Sequence, residues 1–329
     1  MDNQDKLISI GLPVYNGEKF IRQALDSLLA QTYQNLEINI SDNASIDQTE
    51  AVCREYAAKD KRVHYYRNER NLGGWNFRRV LELATGEYFM WAAHDDLWHK
   101  DFIAKLVAGL EDNKDCDMAA SNVININIAG KVLSRNSSIK KFADKNHLNA
   151  LVDFLREPEI FGKANLVYGI YRAEFIKKIY DRYEMSNEYW GTDSILLFGC
   201  LCRTNLYVCE DYLFFKRDTK TVVNFSRPDD ANSDDHTFPP LKYVDDYVNG
   251  FILAAKGTIY EELAKVIMNL RRDLYLKNRP GGLKRLVIIF SHLFMHWGWK
   301  NLIFKLKIIF SQAGLKGKLR KIKELFNNY

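Results

Sequence analysis

Short apolar runs alternate with amphipathic helical patterns through the first 120 residues of the chain. The apolar runs have the length of buried strands, and the patterns between them have the spacing of helices with one apolar face. The runs are Ile8–Leu12, Leu36–Ile40, Val63–Tyr66, Tyr88–Trp91 and Met118–Ala120. The helical patterns are residues 20–31, Asp47–Lys59, Trp75–Ala84 and Asp101–Glu111. This alternation predicts an α/β fold with a parallel, doubly wound sheet.

Polar residues follow four of these runs at the point where each run ends. In a parallel sheet the carboxyl ends of the strands meet at one edge, where ligands bind. No G-x-G-x-x-G follows the first strand and no G-x-x-x-x-G-K-[ST] occurs in the chain, which argues against the common phosphate-binding loops. The four polar segments are Pro13–Asn16, Asp42-Asn43, Asn68–Gly74 and His94–Asp96.

Two adjacent carboxylates, Asp95 and Asp96, come directly after the apolar run Tyr88–Trp91, with His94 beside them. Carboxylate and imidazole groups are ligands for Mg²⁺ or Mn²⁺, and a cation at this position would hold a diphosphate. Two other interpretations stay open from the residues alone. The aspartates form a solvated turn before the helix that begins near Asp101, and His94 is a surface histidine hydrogen-bonded to a carboxylate.

The polar segments together resemble the inverting family-2 glycosyltransferases, and the resemblance covers roughly residues 6–225. Its blocks occur in the family's order, each at a strand end, and end at the acidic motif near Asp95. The other blocks are Pro13–Gly17 (P-x-Y-N), Ser41–Thr49 (D-N-A-S-x-D-x-T), Asn71–Asn76 (N-x-G-x-x-N) and Ala84–Tyr88 (A-x-G-E-Y). The resemblance implies a Rossmann-like GT-A domain that binds a nucleotide-diphospho-sugar.

The resemblance also implies roles for individual residues in donor binding. Asp42 is expected to accept hydrogen bonds from the uracil or ribose. The residues of the first block are expected to form the wall and floor of the site under the base. Asp95 is expected to ligate Mn²⁺ or Mg²⁺, with Asp96 as a further metal ligand, and the cation would bridge the two phosphates. Ala93 stands where the family has the first Asp of its D-x-D motif, so His94 is the candidate substitute. The remaining expected donor-site residues are Pro13, Tyr15, Asn16, Asn71, Gly73 and Asn76.

Asp193 precedes the apolar run Ile195–Phe198. The resemblance implies that it is the general base, which removes the proton of the acceptor hydroxyl, and Glu188 is the substitute candidate. The alternative is that Asp193 or Thr192 only caps the helix that follows. Lys216 and Arg217 follow the strand-like run Tyr212–Phe215. They either contact the donor diphosphate or lie at a solvated strand end.

The chain is predicted to consist of a GT-A catalytic domain over residues 1–225, a polar hinge over 226–240 and a helical, basic region over 241–329. Residues 276–329 carry a net charge of +11, against −6 for residues 1–275. Their basic amphipathic pattern favours peripheral contact with an anionic membrane, and the alternative is a helical bundle packed on the catalytic domain. Nucleic acid is a poorer partner because no recognition motif accompanies the lysines.

These features predict a cytoplasmic glycosyltransferase on the inner face of the cell membrane. It is expected to move a sugar, with inversion, from a nucleotide-sugar to a saccharide or polyprenyl-linked acceptor in surface polysaccharide assembly. The expected donor is a UDP-sugar. No secretory signal is expected, and the five cysteines are expected to be buried free thiols. Two alternatives stay open: a metal-dependent nucleotidyltransferase, whose glycine- and arginine-rich loop is missing after the first strand, and a binding protein of the same fold with impaired catalysis.

Overall fold

A computed structural model of the 329-residue chain describes residues 6–144, 146–157, 162–182, 191–219 and 243–275. The chain divides into two compact units, Met1–Tyr260 and Glu261–Tyr329. Helix α9 (Glu261–Tyr275) belongs to the second unit, and all other elements belong to the first. Within the described ranges, no helix is long and apolar enough to cross a membrane.

The first half of the sheet is parallel, as the alternation of runs predicts. Strands lie in the order β3-β2-β1-β4, so β1 is central and the chain winds outward from it in both directions. The strands are β1 (Ile8–Val14), β2 (Leu36–Asp42), β3 (Val63–Arg67) and β4 (Tyr88–Trp91). The helices that connect them are α1 (Ile21–Leu29), α2 (Thr49–Lys59) and α3 (Trp75–Glu82).

The second half of the sheet mixes strand directions. Beyond β4 the sheet continues in the order β8-β6-β9-β5, with β7 paired to β6. Strand β8 is antiparallel to β4 and β6, whereas β6 and β9 are parallel. The strands are β5 (Leu97–Trp98), β6 (Cys116–Ile126), β7 (Val132–Asn136), β8 (Ile170–Arg172) and β9 (Asn205–Arg217). The helices are α4 (Phe102–Asp112), α5 (His147–Arg156), α6 (Ala173–Arg182), α7 (Thr192–Leu201) and α8 (Val244–Ala255).

The main core lies between the parallel strands and the helices that cover them. Every residue of β1 and β4 is buried, as continuous apolar runs in a covered parallel sheet should be. Helix α1 buries one face with i, i+3, i+4, i+7 spacing: Ile21, Ala24, Leu25 and Leu28. All five cysteines are free and buried, which confirms the expectation of unpaired thiols.

Helix α8 packs on α7 inside the first unit. The rings of Phe198 and Phe251 lie 5.4 Å apart, and a Cβ at Gly250 would come within 2.5 Å of Ile195. The structural division therefore falls after Tyr260, about twenty residues beyond the predicted end of the hinge. The predicted hinge 226–240 and the basic segment 276–329 lie outside the described residues.

A cluster of charged side chains closes the amino-terminal edge of the sheet around Glu111. Its carboxylate accepts hydrogen bonds from the Tyr88 hydroxyl, from Lys6 Nζ at 2.9 Å and from Arg172 Nη1 at 3.3 Å. Burial alone would raise the pKa of Glu111, but the hydrogen bonds from Tyr88, Lys6 and Lys114 outweigh it and lower the pKa well below its usual range. These partners join the start of β4 to α4 and β8.

Candidate active site

A cavity of about 370 Å³ opens at the carboxyl-terminal edge of the sheet, beside the start of α3. Six residues predicted for donor binding line it: Pro13, Tyr15, Gly73, Asn76, His94 and Asp95. Lys216, predicted either to contact the diphosphate or to lie at a solvated strand end, also lines it. The other lining residues were not predicted as donor-site residues: Val14, Asn43, Phe77, Ala93, Tyr168 and Thr219. The cavity thus lies at the carboxyl ends of the strands, where ligands of such sheets bind. Its lining also includes residues from distant parts of the chain.

Asn16 joins the loop after β1 to the loop after β2. Its backbone N–H donates to Ser45 Oγ at 2.9 Å, and its side-chain oxygen accepts from the Ile46 N–H at 2.9 Å. Asn16 has a positive φ of 51°, which asparagine tolerates better than most residues. It does not line the cavity, so it acts on the floor of the cavity indirectly, by fixing Tyr15 and the adjoining loop.

Asp42 does not line the cavity, and the expected hydrogen bond from its carboxylate to the base or ribose stays a prediction. The side chain is fully buried. One oxygen accepts from the Ser45 N–H at 2.8 Å, and the other accepts from the Tyr65 hydroxyl and Arg67 Nη1, both at 2.7 Å. Successive side chains of a strand point to opposite sides, so the next residue, Asn43, lines the cavity in its place.

A set of asparagines shapes the wall of the cavity between β2 and α3. Asn43 Nδ2 donates to Asn71 Oδ1 at 2.6 Å, and Asn76 Nδ2 donates to the Ser41 carbonyl at 2.8 Å. Asn76 is buried and lines the cavity, whereas Asn71 is exposed and does not. Gly73 lies between them with φ +58°, a conformation that favours glycine. Asn71 therefore positions the loop that carries Gly73.

Asp95 and Asp96 have different surroundings although they are adjacent in sequence. Asp95 is half-buried and lines the cavity. Asp96 is fully buried, and its two oxygens accept from Lys216 Nζ and from the Arg217 backbone N–H, each at 2.8 Å. This geometry does not favour the predicted metal-ligand role of Asp96, because both carboxylate oxygens are engaged by β9 and the side chain is not part of the cavity lining.

His94 lines the cavity and packs closely against the loop after β1. A Cβ at Gly17 would lie only 2.9 Å from His94 Cδ2, so a side chain at Gly17 would displace the imidazole. Burial lowers the pKa of His94, and the nearby ammonium of Lys216 acts in the same direction, while Asp95 opposes it. The imidazole is therefore predominantly neutral at pH 7, the form that can act as a metal ligand or hydrogen-bond acceptor.

Lys216 and Tyr168 also line the cavity and lie close to each other. Lys216 Nζ lies 5.0 Å from the centroid of the Tyr168 ring. Burial alone would lower the pKa of Lys216, but the carboxylates of Asp96 and Asp95 and the hydroxyl of Tyr168 outweigh it and raise the pKa. The amine is therefore a fixed positive charge in this part of the cavity. Sequence spacing gave no means of pairing it with Asp96, 120 positions earlier.

Asp193 lies in the first turn of α7 and is exposed. The helix has Gly191 as its N-cap, at φ +74°, so neither Thr192 nor Asp193 occupies the capping position that was the alternative interpretation. Burial raises the pKa of Tyr168, and the carboxylates of Asp96, Asp193 and Asp95 add to the effect. Asp193 is not among the residues that line the cavity, but its carboxylate acts electrostatically on Tyr168, which is. Glu188 lies outside the described residues.

The donor set at the cavity suits a divalent cation held jointly by protein and substrate. Among the residues that the structure describes, no group of three or more His, Cys, Asp or Glu side chains converges as a metal centre. The cavity does offer Asp95 and the neutral imidazole of His94. Mg²⁺ is commonly held by one or two carboxylates together with substrate phosphates, so Asp95 fits such a cation.

Residues 9–172 match the family model described as Glycosyl transferase family 2. This part of the chain is a family 2 glycosyltransferase domain. The match covers β1 to β8, including the loops that carry Asn43 and Asp95. Asp193 and Lys216 lie beyond it.

Curated relatives of this domain are themselves named glycosyltransferases. An uncharacterized glycosyltransferase of Rickettsia typhi is 40% identical over 111 residues, which are 33% of this chain and 34% of the relative. The glycosyltransferase GlyG of Streptococcus pneumoniae is 31% identical over 121 residues, 36% of this chain and 40% of the relative. This chain therefore matches well under half of the length of either relative.

The fold is that of a GT-A glycosyltransferase, as expected. The crystal structure of S. aureus TarS 1-349 in complex with UDP-GlcNAc has a TM-score of 0.60 to this chain at 16% identity. The alignment covers 98% of this chain and 92% of TarS 1-349. The same part of TarS in complex with UDP has a TM-score of 0.59 at 15% identity.

Proposed function

We propose that this chain transfers a sugar from a nucleotide-sugar to a saccharide or lipid-linked acceptor, with inversion at the anomeric carbon. The observation that carries the proposal is the cavity at the strand ends, where Asp95 lies among the loops of a family 2 glycosyltransferase domain. Its volume of about 370 Å³ is in the range of small-molecule sites. The complexes of TarS with UDP and UDP-GlcNAc support a UDP-sugar as the donor.

Two sets of lining residues suit the two parts of the donor. Tyr15 and Asn43 offer a ring face and an amide, which suit the stacking and hydrogen bonding of a nucleobase. Asp95 and His94 are proposed to face the diphosphate. Asp95 would hold Mg²⁺ or Mn²⁺, with His94 as its candidate partner, and the bound cation supplies Lewis-acid neutralisation of the diphosphate.

Asp193 is proposed as the general base of the reaction. Its carboxylate would take the proton of the acceptor hydroxyl while that oxygen attacks the anomeric carbon, and the nucleoside diphosphate would leave from the opposite face. The exposure of Asp193 suits a group that must meet a separate acceptor molecule. Its electrostatic effect on Tyr168, a residue of the cavity lining, supports proximity to the donor.

The basic segment 276–329 is proposed to bring the enzyme to the inner face of the cell membrane, where a polyprenyl-linked acceptor for polysaccharide assembly would be reached. Its charge of +11 supports this, since each basic residue near an anionic surface contributes about 1 kcal/mol. Co-sedimentation of the full chain with anionic and with neutral liposomes tests the proposal. Binding to anionic liposomes alone, with release in high salt, is expected; equal recovery with both would contradict it.

Incubation with a panel of UDP-, GDP- and dTDP-sugars, with and without Mg²⁺ or Mn²⁺, tests the transferase proposal. Release of nucleoside diphosphate is expected with a UDP-sugar, stimulated by the cation and by an acceptor. NMR of the glycoside should give the anomer inverted relative to the donor. Nucleotide binding without turnover would instead favour a catalytically impaired protein, an outcome consistent with Ala93 in place of the family's first Asp.

A further inference from the structure

The ammonium of Lys216 places a positive charge at the cavity, and Asp96 of the acidic motif pairs with it. Lys216 ends β9 next to Arg217 and lines the cavity together with Asp95 and Tyr168. Its side chain retains 29% of its exposure, whereas that of Asp96, its ion-pair partner, retains none. The pair is therefore oriented, with the carboxylate inside the protein and the ammonium at the cavity.

Arg217 makes this arrangement rigid. Its backbone N–H donates to the second oxygen of Asp96 at 2.8 Å, and its Nε donates to the Asp95 carbonyl at 2.7 Å. Its Nη2 donates to Gln23 Oε1 at 2.8 Å, and its guanidinium lies 4.7 Å from the centroid of the Phe20 ring. The end of β9 and the turn at Asp95 are thus joined by several hydrogen bonds, which hold the backbone next to Lys216 in place.

The charges around this turn suit a diphosphate. An ammonium has three N–H donors, and Asp96 takes one of them. Ala93 contributes no charge where the resembling family has a carboxylate, so the cavity repels an anion less than a complete acidic motif would. Asp95 is then the single carboxylate of this motif at the cavity, with Lys216 across from it.

We propose that Lys216 binds the diphosphate of the donor and takes up part of the charge of the leaving nucleoside diphosphate. The second aspartate of the motif, Asp96, acts as the positioning residue that holds this lysine. The inference rests on the proposed function and deepens it. It predicts that nucleoside diphosphate binding persists in part when divalent cations are removed, because a side chain of the protein supplies one of the positive charges.

Calorimetric titration of UDP and of uridine into the full chain, in Mg²⁺ and in EDTA, tests the proposal. Lys216→Gln should weaken UDP binding by roughly 10- to 100-fold in both buffers, as expected for a lost hydrogen bond between charged groups, and leave uridine binding unchanged. Lys216→Arg should restore most of the affinity for UDP. Lys105→Gln is the matched control, since Lys105 also pairs with an aspartate of β9, Asp211, but at an exposed position away from the cavity.

Equal affinity of wild type and Lys216→Gln for UDP would overturn the inference while leaving the proposed function intact. Failure of the wild type to bind any nucleotide would overturn the proposed function itself. A second measurement needs no variant: inorganic pyrophosphate in EDTA should compete with UDP for the wild-type protein. Absence of competition would contradict the role of Lys216, even if Lys216→Gln does not fold.

Discussion

The two ends of the sheet both carry clusters of opposite charge, yet they differ in what the charges surround. At the amino-terminal edge, Glu111 is enclosed by Lys6, Tyr88 and Arg172, and its oxygens are used by the protein itself. At the carboxyl-terminal edge, Asp95 and Lys216 border a cavity of about 370 Å³. Substitutions at the first edge should therefore change stability, and substitutions at the second should change binding and turnover.

The same contrast recurs at short range within the carboxyl-terminal edge. Asp42 and Asp96 are fully buried and hydrogen-bonded by neighbouring strands and loops, whereas Asn43 and Asp95, one position away from each, line the cavity. One residue of each pair supports the loop and the other faces the ligand space. The residue type does not distinguish the two roles. What distinguishes them is whether the side chain is buried in the protein or lines the cavity.

The largest expected effect is at Asp193. Asp193→Asn should lower turnover by roughly 10²- to 10⁴-fold, because an amide cannot accept the proton of the acceptor hydroxyl. UDP affinity, measured by calorimetry, should stay near that of the wild type. Asp181→Asn, at an exposed site near the end of α6, is the control and should retain turnover. Full turnover of Asp193→Asn would remove this residue from the mechanism.

The next largest effect is expected at Glu111, at the amino-terminal edge of the sheet. Glu111→Gln should lower the free energy of unfolding by about 2 kcal/mol, since it weakens several hydrogen bonds to one charged group. UDP affinity should not change. Glu210→Gln, which removes an exposed ion pair with Lys140, should leave the denaturation midpoint nearly unchanged. A Glu111→Gln protein with wild-type stability but impaired UDP binding would break the contrast between the two edges.

Substitutions of Asn43 and Asp42, at the end of β2, should have smaller effects on UDP binding and on stability. Asn43→Ala should weaken UDP binding by roughly tenfold, the equivalent of about one neutral hydrogen bond. Asp42→Asn should mainly lower the melting temperature, because Tyr65 and Arg67 lose a charged acceptor inside the protein. Calorimetry and thermal unfolding of the two variants separate these roles. The reverse result would restore Asp42 as the ligand-facing residue.

The smallest expected effect is a pH dependence from His94. Burial lowers the pKa of His94 in the folded chain below the ordinary value of 6.5, so the unfolded chain takes up the proton first as the pH falls. Stability should therefore decrease as the pH falls through 6.5, and His94→Gln should make this decrease shallower. Denaturant midpoints from pH 7.5 to 5.5 test the sign, and an identical slope in both proteins would contradict it.

The sequence predicted five strands from short, mainly apolar runs, and all five runs fall within strands of the structure. It also predicted which edge carries the site, because that follows from strand direction alone. It did not separate Asp42 from Asn43, where one step along the chain reverses the side on which a side chain lies. It could not pair Asp96 with Lys216, because β5 and β9 meet only in the folded sheet.

The central claim is that Asp95 faces the donor at the cavity, whereas its neighbour in sequence, Asp96, is structural. Titration of UDP in Mg²⁺ into the wild type and Asp95→Asn, with melting temperatures measured alongside, tests it most directly. The wild type should bind UDP, and Asp95→Asn should bind at least roughly tenfold more weakly at an unchanged melting temperature, because it loses a charged ligand of the cation but no structural contact. Equal UDP affinity of the two proteins would contradict the claim.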